Sequence, residues 1–116
     1  MFTENDTVYI AGPMTGIPLF NYPKFYGFAC MIEKEWGCTV LNPARQPNGL
    51  KYEEYLRRAM EDVKQATAIV LLEGWAKSRG AIQESEKAVF LGIRIVTERE
   101  LIDALDEKLK RENQNT

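Results

Sequence analysis

Glu84 is the side chain of this sequence best placed for covalent chemistry, because it follows a glycine-rich loop at the end of an apolar run. The run is Ala68–Leu72, and the loop with the start of the next helix reads GWAKSRGA at positions 74–81. The run predicts a strand buried on both faces, and ligands bind at the carboxyl ends of such strands in parallel sheets. A carboxylate on the following helix would act there as a nucleophile or base.

Helical spacing distinguishes two candidate carboxylates, Glu84 and Glu86. In a helix predicted over Ala81–Leu91, about 100° of rotation per residue puts Glu84 on the inward flank and turns Glu86 away from the core. We expect Glu84 to lie in the first turn, where the helix dipole favours its charged form. The alternative is that Glu84 only complements the dipole or pairs with Lys87 or Arg79.

A second glycine loop, GPMTG at positions 12–16, follows the first predicted strand, Thr7–Ala11. Its glycines would let the backbone approach a ligand closely. Strand alternation points Tyr9 to the opposite face from its two neighbours, and a buried Tyr9 hydroxyl needs a hydrogen-bond partner. A buried Glu84 across the crevice would be that partner.

Several residues of the loop before the Glu84 helix are candidate ligand contacts. Ser78 and Gly80 resemble a cradle for an anion, although Ser-x-Gly before a helix is equally typical of a simple cap. Trp75 would either stack on a base or cover the core. Lys77 and Arg79 would either meet a ligand or remain solvated charges.

Composition excludes several classes of function. The chain has 116 residues, enough for one domain, and its 15 basic and 17 acidic side chains give a net charge of −2, which argues against a nucleic-acid polymer as partner. No apolar run approaches the roughly 20 residues that span a bilayer, and the first residues lack the features of a signal peptide, so we expect no membrane partner and a cytoplasmic protein. Histidine is absent and the two cysteines, Cys30 and Cys38, are expected to be buried free thiols. We therefore expect no metal site and no cofactor.

Strands alternate with helices along the whole sequence. The predicted strands are Thr7–Ala11, Cys38–Leu41, Ala68–Leu72 and Ile93–Val96. This alternation predicts an α/β fold, a flavodoxin-like or Rossmann-like three-layer sandwich with four main parallel strands. We expect the strand order 2-1-3-4, which puts both glycine loops across one crevice.

Three further segments complete the prediction. The irregular stretch 42–50 is rich in Pro and Gly and is interpreted as a flap beside the crevice. Thr97 and Glu100 form a capping box that begins the last helix, and residues 111–116 are expected to form a polar, frayed tail. One helix, ended by Gly37, carries more large apolar area than one face of a small sheet covers, so a homodimer or higher homo-oligomer is expected. Its apolar residues are Phe25, Phe28, Ile32 and Trp36.

Three motifs together resemble a known family. They are YIAGPMTG at positions 9–16, LNPA at positions 41–44, and GWAKSRGA at positions 74–81 with Glu84. This combination resembles a family of small, mostly uncharacterised proteins frequent in phages and prophages, within the nucleoside 2-deoxyribosyltransferase-like superfamily. The resemblance covers roughly residues 7–97.

The resemblance implies chemistry at a glycosidic bond, since the superfamily includes the 2′-deoxynucleoside 5′-phosphate N-hydrolases. Tyr9 and Gly12 match its Tyr-x-x-Gly loop, and Ser78 and Glu84 match its Ser or Asp six residues before a catalytic Glu. By this resemblance Glu84 would attack the anomeric carbon of a nucleoside or nucleotide and Tyr9 would orient it. Ser78 would hold the sugar or its 5′-phosphate together with Gly12, Pro13, Met14, Thr15 and Gly16.

The sequence departs from the superfamily at two positions. The superfamily usually carries one Asp on the second helix and another at the start of the central strand, where this chain has Ala59 and Thr67. Asp62, nearly one turn beyond Ala59, is the candidate replacement. Two functions therefore stay open: an N-glycosidase or deoxyribosyltransferase-type enzyme, and a non-catalytic nucleotide-binding or sensor protein with the same pocket.

Overall fold

Four β-strands and four α-helices alternate along residues 1–114, which are the residues described in the computed structural model of this protein. In chain order they are β1 (Thr7–Ala11), α1 (Tyr22–Trp36), β2 (Thr39–Leu41), α2 (Tyr52–Gln65), β3 (Ala68–Leu71), α3 (Arg79–Leu91), β4 (Arg94–Thr97) and α4 (Glu98–Gln114). Short 3-10 turns at Pro18–Asn21, Pro43–Arg45 and Trp75–Lys77 precede α1, follow β2 and precede α3. None of the helices in this range combines the length and apolar character needed to cross a bilayer.

All four strands pair in parallel in the order β2-β1-β3-β4. Tyr9 of β1 lies opposite Ile69 of β3, and Ala11 lies opposite Leu71. This confirms the predicted α/β fold and strand order. The chain reverses between β1 and β3, so the loops after these two strands open onto the same edge of the sheet.

Strand alternation divides the core into two layers. Val8 and Ile10 pack under α1 and α4 against residues such as Phe25 and Leu101. Tyr9 points the other way, into a layer built with small residues of α2 and α3. That second layer contains Tyr9, Ala11, Ala59, Val63, Ala66, Ile69, Leu71, Ala81 and Ala88. Its small side chains let both helices approach the sheet over the Tyr9 ring.

The two loops at the crevice touch each other. A Cβ at Gly12 would lie 2.8 Å from the Cβ of Leu72, and a Cβ at Gly74 would lie 3.2 Å from the Pro13 ring. Gly74 also adopts a left-handed φ of 89°. Both glycines are therefore required by the close approach of the two strand ends as well as by any ligand.

Two local predictions are wrong. Cys30 is exposed on the solvent side of α1, whereas Cys38 is buried as predicted. The predicted polar tail is helical through Gln114, because the capping box of Thr97 and Glu100 begins a helix that continues beyond Arg111. Residues 115–116 of that predicted tail lie outside the described residues.

The predicted apolar side chains of α1 are used inside the protomer. Phe25 and Ile32 are fully buried, and Phe28 and Trp36 are partly buried against the same core. Tyr26 and Met31 of α1 are exposed, and a further group of exposed apolar side chains lies at the end of α3 and on the edge strand β4. This further group is Val89, Phe90, Leu91 and Ile95, and Phe90 is 82% exposed.

We predict that this α3–β4 surface forms a homo-oligomer contact, because burying these exposed side chains removes apolar area from water. Multi-angle light scattering at high micromolar concentration should give at least twice the protomer mass of 13.3 kDa. Phe90→Glu should shift the protein to monomer, and Met31→Glu, on the exposed side of α1, should not. A monomeric wild type would contradict the prediction.

Candidate functional site

A cleft of about 740 Å³ opens at the carboxyl ends of β1 and β3. Both predicted glycine loops line it, together with the segment after β2 and the start of α2. Its walls are Gly12–Thr15, Phe20, Tyr22, Pro43, Gln46–Leu50, Tyr52, Tyr55, Lys77–Ala81 and Glu84. The predicted flap divides in two: its first residues are buried and anchored, with Asn42 accepting a hydrogen bond from the Ala44 N–H, and its last five line the cleft.

Helix α3 begins at Arg79, two residues before the predicted start. Ser78 is its N-cap, and the Ser78 Oγ accepts a hydrogen bond from the Ala81 N–H at 3.2 Å. Glu84 consequently lies in the second turn, and the expectation that it occupies the first turn is wrong. The helix dipole acts mainly within the first turn, so it stabilises the Glu84 carboxylate less than the sequence suggested.

Tyr9 and Glu84 meet in the interior beside the cleft. The Tyr9 hydroxyl donates a hydrogen bond to Glu84 Oε2, with Tyr9 fully buried and Glu84 only 3% exposed. Oε1 faces the backbone of Gly80, since a Cβ there would lie 3.9 Å from it. Glu86 is exposed, in agreement with the helical spacing. The structure thus brings together the two side chains that the sequence selected as catalytic candidates.

Burial controls the protonation of this pair. Loss of water raises the pKa of Glu84 to about 8; the Tyr9 hydrogen bond opposes this rise and the negative charge of Asp62 adds to it. Burial, followed by the charge of Glu84, raises the pKa of Tyr9 well above its usual value. Burial therefore favours the neutral form of Glu84, whereas the sequence analysis expects a carboxylate, and Tyr9 remains a hydrogen-bond donor.

The predicted substrate contacts separate into two groups. Gly12, Pro13, Met14, Thr15, Ser78 and Gly80 line the cleft, whereas Gly16 and Trp75 do not. The Ile17 N–H donates to the Met14 carbonyl in a tight turn that carries Gly16 past the cleft. Trp75 is partly buried against the second core layer, which matches the alternative reading that it covers the core.

Sequence reasoning missed an aromatic wall made of Phe20, Tyr22, Tyr52 and Tyr55. Phe20 reaches the cleft through unusual backbone: Leu19, Phe20 and Asn21 have φ values of 56°, 52° and 61°. Left-handed conformations cost most residues roughly 1–2 kcal/mol each. The Asn21 side chain offsets part of that cost by donating to the Pro13 carbonyl at 3.0 Å. The spacing of Tyr52 and Tyr55 was the available signal, since residues three apart share a helix face.

Positive charge lies where the Trp75–Lys77 turn leads into α3. Lys77 and Arg79 are exposed there, and the Arg79 guanidinium stacks 4.8 Å from the centre of the Tyr52 ring. Within residues 1–114, no acidic side chain lies within ion-pair distance of either cation. This part of the cleft is therefore suited to an anion.

The two positions at which the sequence departs from the resemblance, Ala59 and Thr67, fall in different places. Thr67 precedes β3 at the amino edge of the sheet, away from the cleft, where its hydroxyl donates to Asp6 at 2.7 Å and accepts from the Thr7 N–H at 3.0 Å. Ala59 is fully buried in the layer that contains Tyr9. Asp62 is half-buried, and burial raises its pKa, but it does not line the cleft. Of the two positions, Ala59 is therefore the one that packs in the same layer as Tyr9.

Comparison with known proteins gives a family and a fold. Residues 6–97 match the family described as a domain of unknown function, DUF4406. The chain belongs to the DUF4406 family. Its fold is similar to that of a solved 2-desoxiribosyltransferase from Leishmania mexicana, with a TM-score of 0.65 and 18% identity over 79% of this chain. The match covers 63% of that enzyme's length. The search of curated proteins found no match to this DUF4406 protein.

We predict that Glu84 makes the stability of this DUF4406 protein depend on pH. The folded pKa of about 8 exceeds the ordinary value of 4.5, so the folded state binds more protons than the unfolded state between these values. The free energy of unfolding should therefore fall as pH rises from about 5 to 8, by at most about 1.4 kcal/mol per pH unit from this group, and level off above pH 8.

Urea unfolding of wild type, Glu84→Gln and Glu86→Gln at pH 5, 6.5, 8 and 9 measures this effect. Glu84→Gln should remove the decline, while the exposed Glu86→Gln should retain it. Parallel curves for wild type and Glu84→Gln would show that Glu84 is ionised in the folded protein.

Proposed function

We propose that this protein is an N-glycosidase or a deoxyribosyltransferase-type enzyme that acts on deoxynucleosides or their 5′-phosphates, with Glu84 as nucleophile. The observation that carries the proposal is the buried Glu84–Tyr9 pair beside a cleft at the β1–β3 crevice. A carboxylate next to a developing oxocarbenium ion is the usual device for breaking glycosidic bonds. The fold of the Leishmania enzyme supports the same assignment by analogy.

The geometry supports a two-step reaction. Tyr9 binds Oε2 and leaves Oε1 of the ionised Glu84 to bond to the anomeric carbon, while the C–N bond breaks and its electron pair leaves with the base. Water or a second base then displaces Glu84 from the sugar and restores the carboxylate. The positive charge that develops on the sugar as the C–N bond breaks favours the charged form of Glu84, which offsets the effect of burial.

The cleft offers two chemically different sets of side chains, which meet where Arg79 stacks on Tyr52. Lys77 and Arg79, with Ser78 and Gly80 between and beside them, are suited to a 5′-phosphate, and the wall of Phe20 and the tyrosines is suited to a base. We therefore propose a nucleotide in preference to a nucleoside. A small intracellular nucleotide as substrate agrees with the cytoplasmic location that the sequence predicts.

A non-catalytic nucleotide-binding or sensor protein is the second candidate. The raised pKa of Glu84 favours it, because a neutral carboxylic acid cannot attack the anomeric carbon. The buried methyl group of Ala59, where the superfamily carries Asp, favours it as well. Binding without base release distinguishes this function from the first.

We predict that Glu84→Gln abolishes turnover and keeps binding. A panel of deoxynucleoside 5′-monophosphates, assayed by chromatography of the released base, should show a loss on the order of 10³-fold or more, since Gln retains the shape of Glu and cannot form the glycosyl ester. Thermal shift should show nucleotide binding within a few-fold of wild type.

Glu86→Gln is the matched control, because Glu86 lies two residues along the same helix and is exposed. This variant should have wild-type activity. Equal base release by wild type and Glu84→Gln would refute the nucleophile. Wild-type binding with no base release from any nucleotide would favour the sensor function.

We also predict that Lys77→Ala with Arg79→Ala weakens nucleotide binding about ten-fold and leaves nucleoside binding unchanged, because only the nucleotide carries the anion that these cations meet. Isothermal titration with a matched nucleoside and nucleotide measures both affinities. Lys87→Ala removes a cation of the same helix outside the cleft and should affect neither. Equal losses for both ligands would place the phosphate elsewhere.

A further inference from the structure

Tyr55 presents a hydroxyl to the cleft without a strong acceptor. Its hydroxyl contacts the Met14 sulfur at 3.6 Å, and within residues 1–114 this is its only hydrogen-bond partner. A thioether is a weak acceptor. The hydroxyls of two other tyrosines are already well paired, Tyr9 with Glu84 and Tyr52 with the Gln83 Oε1 at 3.0 Å. The Tyr55 proton is thus available to a ligand.

Tyr55 lies near both the Glu84 carboxyl group and the aromatic wall of the cleft. It lines the cleft, and burial, followed by the charge of Glu84 and then by Tyr22 and Tyr52, raises its pKa. Tyr55 therefore lies within electrostatic reach of the carboxyl group and of the aromatic wall. The raised pKa keeps the hydroxyl protonated, so Tyr55 has a proton to donate to a ligand.

Helix α2 offers no other donor to this part of the cleft. Ala59, one turn further along, is apolar and fully buried, and Asp62 does not line the cleft. The Tyr52 hydroxyl, one turn earlier, is engaged by Gln83. A base whose glycosidic bond is breaking accumulates negative charge and is stabilised by a donor fixed beside it.

We propose that Tyr55 is a catalytic residue that donates a hydrogen bond to the departing base, an inference that rests on the proposed function. As Glu84 bonds to the anomeric carbon, the C–N electron pair moves onto the base and the Tyr55 hydroxyl stabilises the resulting anion while keeping its own proton. In the hydrolytic second step, water gives its hydroxide to the sugar and the released proton neutralises the base. The products are free base and deoxyribose 5-phosphate.

Two substrates that differ in their need for this hydrogen bond test the proposal. For a purine they are deoxyguanosine monophosphate and its N7-methyl derivative, whose base leaves as a neutral molecule; for a pyrimidine, deoxyuridine monophosphate and its 5-fluoro derivative serve the same purpose. Tyr55→Phe should lose on the order of 10²–10³-fold in kcat on the unactivated substrate. On N7-methyl deoxyguanosine monophosphate the loss in kcat should be several-fold at most. On 5-fluoro deoxyuridine monophosphate the loss in kcat should be clearly smaller than on deoxyuridine monophosphate.

Tyr52→Phe is the matched control, because its hydroxyl is already bonded within the protein, and it should affect both substrates of a pair alike. Tyr55→Phe should keep the wild-type melting temperature within a few degrees, since it removes one weak contact to sulfur. Equal losses on both substrates would show that Tyr55 only shapes the cleft and would overturn this inference alone. A wild type inactive on all four nucleotides would overturn the proposed function, and this inference with it.

Discussion

Burial of the Glu84 carboxyl group against the Tyr9 hydroxyl is the interaction on which the rest of the site depends. This hydrogen bond joins β1 to α3. It also removes a carboxyl group from water, and the dipole of α3 does not compensate that desolvation, because Glu84 lies one turn beyond the start of the helix. The small residues Ala59, Ala81 and Ala88 permit it, because larger side chains would hold α2 and α3 away from the Tyr9 ring. The same desolvation that raises the pKa of Glu84 would strengthen its interaction with a developing positive charge.

The strand order makes this interaction possible. Because β1 and β3 are neighbours and the chain reverses between them, residues 75 positions apart in sequence meet at one edge of the sheet. The close approach of Gly12 to Leu72 and of Pro13 to Gly74 fixes the two loops against each other. The loop after β1 forms one wall of the cleft, the loop after β3 forms a second wall, and the start of α2 forms a third.

Ala59 and Thr67, the two positions at which the sequence departs from the resemblance, have unequal weight once they are placed in the fold. Thr67 belongs to the amino edge of the sheet, where it links β3 to the residues before β1, so a missing carboxylate there does not alter the cleft. Ala59 lies directly in the layer around Tyr9, and the polar side chains that α2 brings to the cleft are Tyr52 and Tyr55. This arrangement is why Tyr55 gains importance in this chain.

The sequence by itself determined the elements of the fold and the inward direction of Glu84, because hydrophobic periodicity and the glycine loops are local properties that each segment carries alone. It also selected Tyr9 as the partner of Glu84, through strand alternation combined with the expected strand order. The tertiary structure alone decided the protonation of Glu84, the exclusion of Trp75 from the cleft, and the convergence of Phe20 and Tyr55 on it. Desolvation and convergence depend on which distant segments pack together, and no local spacing encodes how much water that packing removes.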